Sequence, residues 1–595
     1  MLSKIDAIKT RVQSRSKESR SRYLREVSEW KKKSPNRDSM GCSNLAHTYA
    51  ACNNNHSSSD QSIKKLVGII TAYNDMLSAH APFETYPSTL KEEGERLNLH
   101  VQVAGGVPAM CDGITQGEPG MELSLFSRDT IALATAIGLS HNVFDSAICM
   151  GTCDKIVPGL LIGALQFGHL PIVFMPGGPM STGISNVKKT ETRQAYAAGE
   201  IQKIDLLNVE QQAYHSAGTC TFFGTANTNQ LIAEAMGFQL PGAAFTPTES
   251  PVRDHLNKES LKALMRLMDA EIGIGEMLDI QNWMNAIIVL LASGGSTNLV
   301  IHLIAMARSA GFILTIEDFN DLSSLIPLLC QIYPNGTADV NEFHAEGGIA
   351  RLLSNLLEGD LIYSDIETVA GFGLEHYTKT PYLDEVKSSC LQWKDLDQNE
   401  NTKSISNINN PFKSNGGIKF IGGDIAEGVI KVSALKDEDE IIHAPARVFT
   451  NQESVLEAFN NGDLNTDLII VLLGQSPEVN GMPELHKLTS PINVLQKKGY
   501  KIALITDGRM SGASGSFPAL IHAVSNNNNL YKIHDGDELI LDLKNAELSV
   551  QNCDLSSRDK IEIPLSNQGL GRSLFRLFRD NVSSVNSGAS IFNEQ

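Results

Sequence analysis

Residues 146–155 read Ser-Ala-Ile-Cys-Met-Gly-Thr-Cys-Asp-Lys. A short apolar run, Ser146–Met150, stops at a glycine and opens into a loop that sets Cys153, Asp154 and Lys155 side by side. The pattern recurs along the chain. Leu66–Thr71 ends at Ala72-Tyr73-Asn74-Asp75, and Pro171–Met175 ends at Gly177-Gly178-Pro179-Met180-Ser181-Thr182-Gly183. Long helical patterns such as Glu122–Leu139 lie between these runs. Strands alternating with helices predict an α/β fold built on a parallel sheet. Open parallel sheets bind ligands at the carboxyl ends of their strands, where each of these loops falls.

Outward from this core the chain divides into four segments. Residues 1–63 are expected to form an N-terminal helical arm. Within it, residues 1–35 are highly charged and carry Ile5, Ile8 and Val12 at helical spacing, which predicts a solvated helix or a dimer arm. The polar stretch 52–62 reads as a loop. Residues 64–394 form the α/β domain, and the Asn-rich stretch 395–415 reads as a linker. Residues 416–595 carry short β-rich runs at Ile418–Ile421, Val429–Val432, Ala446–Phe449, Leu468–Leu473 and Ile502–Ile505, which predicts a smaller, barrel-like β-rich domain. The chain has no internal repeat, no Walker A pattern and no Gly-x-Gly-x-x-Gly after a strand.

A formal net charge of -19 argues against a nucleic-acid surface, which needs clustered Lys and Arg. No apolar run reaches the roughly 20 residues of a membrane span. Met1–Thr10 lacks the apolar stretch of a secretory signal. Nine cysteines, an odd number scattered over 595 residues, do not form a disulfide framework. A reducing cytoplasm is therefore the expected compartment, with thiols free to bind metal.

A second Gly-Thr-Cys stands at Gly218–Cys220. Thiolates flanked by glycine suit iron or an iron–sulfur cluster, because soft ligands select soft metals. Cys111 is the best third thiolate; Cys42, Cys52 and Cys149 are weaker rivals, and Cys330, Cys390 and Cys553 read as structural. Asp112 and Asp154 each follow a cysteine directly and suit a hard cation such as Mg²⁺. A buried Lys155 would be deprotonated and open to chemical modification. In the C-terminal part, Asp507-Gly508-Arg509-Met510-Ser511-Gly512-Ala513-Ser514-Gly515 follows a strand and offers Ser511 as a turned-out nucleophile or base. It is not the Gly-x-Ser-x-Gly of the α/β-hydrolases. Gly481-Met482-Pro483-Glu484 offers a carboxylate at another rigid turn. Both loops are expected to face the cysteine loops across a domain cleft.

Four further segments carry a family resemblance. They are Thr71-Ala-Tyr-Asn-Asp-Met-Leu-Ser-Ala-His80, Gly105-Gly-Val-Pro-Ala-Met-Cys-Asp-Gly-Ile-Thr-Gln-Gly117, Glu122-Leu-Ser-Leu-Phe-Ser-Arg-Asp129 and Gly218-Thr-Cys-Thr-Phe-Phe-Gly-Thr-Ala-Asn227. With the loops above, they make the chain resemble the dihydroxy-acid dehydratase and 6-phosphogluconate dehydratase family from about Arg15 to Arg576, and most of all its 6-phosphogluconate branch. The resemblance implies dehydration of 6-phospho-D-gluconate, a sugar-acid phosphate, to 2-dehydro-3-deoxy-6-phospho-D-gluconate in the Entner–Doudoroff pathway. It implies a [4Fe–4S] cluster with Cys153 and Cys220 as ligands and Cys111 as the favoured third. The dihydroxy-acid branch has Pro-Cys-Asn where this chain has Ser78-Ala79-His80, so a thiolate used by its [2Fe–2S] relatives is Ala79 here. By the same matching, Asp112, Asp154 and Glu484 correspond to Mg²⁺ ligands, Lys155 to a carbamylated lysine and Ser511 to the base. Lys188, Lys189, Arg193 and Arg509 are candidate phosphate donors. A homodimer is the family-level expectation.

Overall fold

The computed structural model describes residues 2–35, 37–50, 64–384, 390–397, 402–433, 435, 441–511, 516–563, 568–569 and 571–592. The expected loop at 52–62, Cys52, residues 398–401 of the expected linker and residues 512–515 of the serine loop lie outside the described residues.

Four parallel strands form the first sheet: β1 Lys65–Thr71, β2 Leu99–Gly106, β3 Ser146–Met150 and β4 Ile172–Met175, in the order β2-β1-β3-β4. Every residue of β3 and β4 is buried, as are the last six of β1. Parallel strands covered on both faces read as unbroken apolar runs, which is why these segments stand out in the sequence. The register sets Gly106, Thr71, Met150 and Met175 abreast. Their loops therefore leave along one edge of the sheet. The helical pattern before β3 resolves as a short 3-10 turn, Pro119–Leu123, followed by the helix Ser124–Leu139.

The N-terminal helix Leu2–Lys31 packs on its own chain. Ile5, Val12 and Val27 are buried, Arg20 donates to the carbonyls of Gly275, Leu278 and Ala310, and Arg11 and Arg15 pair with Asp318. Two small ribbons follow the helical region, β5 Glu367–Thr368 with β6 Gly371–Phe372 and β7 Lys379–Asp384 with β8 Cys390–Asp395. Residues 402–413 return along the N-terminal body, bridging Ile405 to Cys330 and Lys413 to Leu328.

The C-terminal part is an eight-stranded sheet, β9 Ile418–Ile421, β10 Ala426–Lys431, β11 Ile441–Phe449, β12 Leu468–Leu472, β13 Ile502–Thr506, β14 Ala519–Ser525, β15 Glu538–Asp542 and β16 Glu547–Val550. Its order is β16-β15-β11-β12-β13-β14-β10-β9. The Gly422 N–H donates to the Ala546 carbonyl (3.0 Å) and the Leu548 N–H to the Gly422 carbonyl (2.8 Å), so the two edges meet and the sheet closes into the expected barrel. Alternation fills it. Ile469, Val471, Ala503 and Ile505 join the barrel core, while Leu468, Ile470, Leu472, Ile502 and Leu504 pack into the main core outside. Successive strand side chains point to opposite faces, so each strand serves two cores at once. Among the described residues no helix is long and apolar enough to cross a membrane.

Candidate active site

The aligned strand ends deliver the site. After β3, Cys153 takes a left-handed backbone (φ +73°), and the helix Ile156–Leu165 starts directly after Lys155. The loop is pinned on both sides: the Thr152 hydroxyl donates to the Ala79 carbonyl (3.1 Å), and the Asn229 amide donates to the Asp154 carbonyl (2.9 Å). After β2, Cys111 precedes the short helix Asp112–Thr115. The second Gly-Thr-Cys lies against the loop after β4, with the Met180 N–H donating to the Thr219 carbonyl (3.0 Å) and the Gly218 N–H to the Ser78 carbonyl (2.7 Å). Gly218 has φ +127°, and a Cβ there would stand 2.3 Å from the Met180 nitrogen, so only glycine fits this crossing. The Asn227 amide then holds the Cys220 carbonyl (2.7 Å).

Cys111, Cys153 and Cys220 act on one another electrically. Burial pushes the Cys153 thiol far above its usual range, and Cys111, Asp154 and Cys220 push it further. Burial and then Cys111 raise Cys220 to about 12. Burial and Asp112 raise Cys111. Neighbouring buried thiols could share a soft metal, which would favour the deprotonated sulfurs. Of the described rivals, Cys149 lies buried inside β3 and is raised by burial alone, and Cys42 is exposed.

Beside the thiols, Asp112, Asp154 and Glu484 bring carboxylate oxygens within 4.8 Å of one another. Lys155, fully buried, pairs with Asp112 and reaches Asp154 at 3.4 Å. Arg509, 1% exposed, donates to Asp112 (3.1 Å) and Glu484 (3.0 Å). Glu484 also accepts from Gln116 (2.7 Å) and Asn298 (3.1 Å). The C-terminal strands deliver two of these groups: Glu484 comes from the segment after β12 and Arg509 follows β13, with a backbone bridge joining them. Gly481, at φ +69°, lets the Glu484 loop touch the N-terminal part, since a Cβ there would overlap the Glu122 carbonyl.

Burial acts against all three carboxylates. At Asp112 it is outweighed by Lys155 and Arg509, which hold that carboxyl well below the usual range. At Asp154 and Glu484 burial prevails, reinforced by the charge on Asp112, and both are raised. Lys155 is likewise raised, because Asp112 and Asp154 outweigh its burial. Asp112 and Asp154 thus act against the expectation of a deprotonated buried lysine and favour the ammonium. Three carboxylate oxygens this close fit a hard divalent cation as a donor set.

Ser511 is half-buried and lies two residues beyond Arg509. The candidate phosphate donors separate. Lys188 is exposed, Arg193 clasps Glu210 with both arms, and Arg509 is held by the carboxylates. Lys189 is buried. Sequence reasoning missed Gln116 and Asn298 as holders of Glu484, and Ser124, which donates to Asp112. Gln116 and Ser124 fall inside the quoted motif segments; Asn298 carries no local signal.

The N-terminal family model, dihydroxy-acid/6-phosphogluconate dehydratase N-terminal, matches residues 64–377, and the C-terminal model of the same family matches residues 403–589. The chain belongs to the dihydroxy-acid/6-phosphogluconate dehydratase family and is a hydro-lyase. It is 47% identical to a phosphogluconate dehydratase of Pseudomonas aeruginosa, over 98% of this chain and 97% of that one. It is 44% identical to a phosphogluconate dehydratase of Escherichia coli strain K12, over 98% of both chains. A dihydroxy-acid dehydratase of Clostridium novyi is 31% identical, over 88% of this chain and 94% of that one.

Proposed function

We propose that this chain removes water from 6-phospho-D-gluconate to give 2-dehydro-3-deoxy-6-phospho-D-gluconate, the dehydration step of the Entner–Doudoroff pathway. The observation that carries the reading is the trio of carboxylates Asp112, Asp154 and Glu484, two of them directly after Cys111 and Cys153, in a chain whose full-length relatives at 44–47% identity are phosphogluconate dehydratases.

The reaction needs a proton taken from C2 and a hydroxide lost from C3. The C2 proton is weakly acidic because the adjacent carboxylate is already negative. A hard cation held by Asp112, Asp154 and Glu484 would supply charge against that carboxylate and the 2-hydroxyl. A [4Fe–4S] cluster held by Cys111, Cys153 and Cys220 would supply a Lewis acid for the departing 3-hydroxyl. Carbamylation of Lys155 would turn a cation into an anion and so offset a divalent ion in the same cluster.

The chain's own groups do the rest. Ser511 takes the C2 proton as general base. Arg509, fixed by Asp112 and Glu484 two residues before it, keeps positive charge beside the serine loop. Lys155, Glu484 and Arg509 are almost wholly buried, so water is excluded and charge interactions are strong. The enol left by loss of water tautomerises to the 2-ketone, taking a proton at C3. The same reading has the enzyme work as a cytoplasmic homodimer, which light scattering of the purified protein tests.

Parallel assays with 6-phosphogluconate, gluconate and 2,3-dihydroxyisovalerate test the substrate. The reading predicts the highest kcat/KM for 6-phosphogluconate. Preference for either other acid contradicts it.

A further inference from the structure

The proposed substrate carries a phosphate far from its reacting carbons, and the site described above assigns nothing to hold it. The helix Asn186–Ala197 starts just beyond the Gly177–Gly183 loop. Its two lysines differ sharply: Lys188 is exposed, whereas Lys189 is 4% exposed. The Lys189 ammonium sits over the rings of Tyr214 (4.7 Å) and Phe222 (5.1 Å) and donates to the Tyr214 hydroxyl (3.2 Å). Phe222 is two residues past Cys220, and Lys189 and Cys220 lie close enough for their charges to interact.

Charge is matched unevenly here. Arg193, one turn further along the helix, is paired with Glu210, its second arm at 2.9 Å. Among the described residues no carboxylate lies within 4.0 Å of Lys189. A buried cation without a counter-charge is costly unless something else supplies one. His486 also feels the charge of both Arg193 and Lys189 and is held neutral, at about 4, by burial first and then by those cations. His486 lies two residues after Glu484, at most about 7 Å of extended chain. Lys189 thus lies within charge range of Cys220 and of the segment that carries Glu484.

We propose that Lys189 is the substrate-binding residue that recognises the phosphate of a phosphorylated sugar acid and sets specificity for it. This rests on the dehydratase reading above and extends it to the distal end of the substrate. Lysine suits the task as a compact charge that donates to phosphate oxygens, and the aromatic walls hold its stem in place. Arg193, paired with Glu210 beside Tyr214, adds no net charge of its own.

The test uses the holoenzyme and its Lys189→Met variant, which keeps a stem to pack on Tyr214 and Phe222. Lys189→Gln is read in the same way if the first variant does not fold. The wild-type enzyme must first turn over 6-phosphogluconate; if it does not, the dehydratase reading has failed. Given turnover, the variant is expected to raise KM for 6-phosphogluconate at least roughly tenfold, the scale of one lost charge-assisted contact. The inhibition constant of inorganic phosphate should rise in parallel, while that of gluconate, which lacks the phosphate, should not, and the iron content should match wild type. Unchanged KM and phosphate inhibition overturn the proposal. A parallel rise for gluconate and phosphate also overturns it, as does loss of iron and sulfide, which would make Lys189 a counter-charge for the thiolates instead.

Discussion

One guanidinium, that of Arg509, donates to Asp112 at 3.1 Å and to Glu484 at 3.0 Å. Asp112 follows the second strand of the N-terminal sheet, and Glu484 sits between two strands of the barrel. Arg509 therefore ties the two parts together at the point where the chemistry is proposed to occur. Replacing it by methionine leaves buried Glu484 without its ion-pair partner and Asp112 with Lys155 as its remaining ion-pair partner. Arg509→Met is expected to cost about 3–5 kcal/mol of stability, the scale for breaking a buried pair from one side. Chemical denaturation alongside turnover checks this, and a variant of wild-type stability would show that the bridge is not structural.

The thiol trio carries a separate prediction. Cys220 is only partly buried and its loop is held by the Asn227 side-chain amide and by the backbone N–H groups of Gly218 and Met180, so Cys220→Ala should keep the fold. It is expected to lose cluster iron and acid-labile sulfide together. A full iron and sulfide complement in the folded variant would remove Cys220 from the ligand set.

Ser511→Ala should behave in the opposite way. The serine follows the Arg509 segment and lies apart in sequence from every thiol, so the variant is expected to retain its iron and lose most of its activity, about a hundredfold or more for a missing general base. Near-normal kcat would exclude Ser511 as the base.

Lys189 gives a pH dependence with a defined sign. Burial, then Arg193, depress its amine to about 8; Glu210 and Cys220 act in the other direction, and Tyr214 and His486 complete its surroundings. The ammonium that binds phosphate is present below that value and lost above it. Phosphate monoesters become dianions above pH about 6. The kcat/KM for 6-phosphogluconate should therefore be highest between roughly pH 6 and 8 and fall on the alkaline side, as free-enzyme ionisations require. Lys189→Arg, whose guanidinium stays charged, should flatten the alkaline limb. An unchanged limb in that variant would assign it to another group.

Much of this was legible because the central strands of a parallel sheet are apolar throughout and end in conspicuous loops. The segments 66–71, 146–150 and 171–175 each lie within a residue or so of the observed strands. The barrel was read less completely. Pro445 interrupts the pattern of β11, yet it pairs opposite Glu538 at a position where the missing N–H is tolerated, so the first half of that strand was passed over. β15 and β16 are short and mostly half-polar, with little to mark them. The thiol and carboxylate residues were found from motif context. The approach of the Glu484 and Arg509 loops to the cysteine loops was expected too, but the Arg509–Asp112 pair was not, because the two are distant in sequence and only the fold brings them together. For the same reason Lys189, one of two adjacent lysines, could be told from Lys188 only by its burial.

The most direct measurement is anaerobic turnover of 6-phosphogluconate with iron and sulfide quantified in the same sample. The account predicts the 2-keto-3-deoxy product together with about four irons per chain, the content of a [4Fe–4S] cluster. An iron-loaded, folded enzyme that forms no product from 6-phosphogluconate would contradict it.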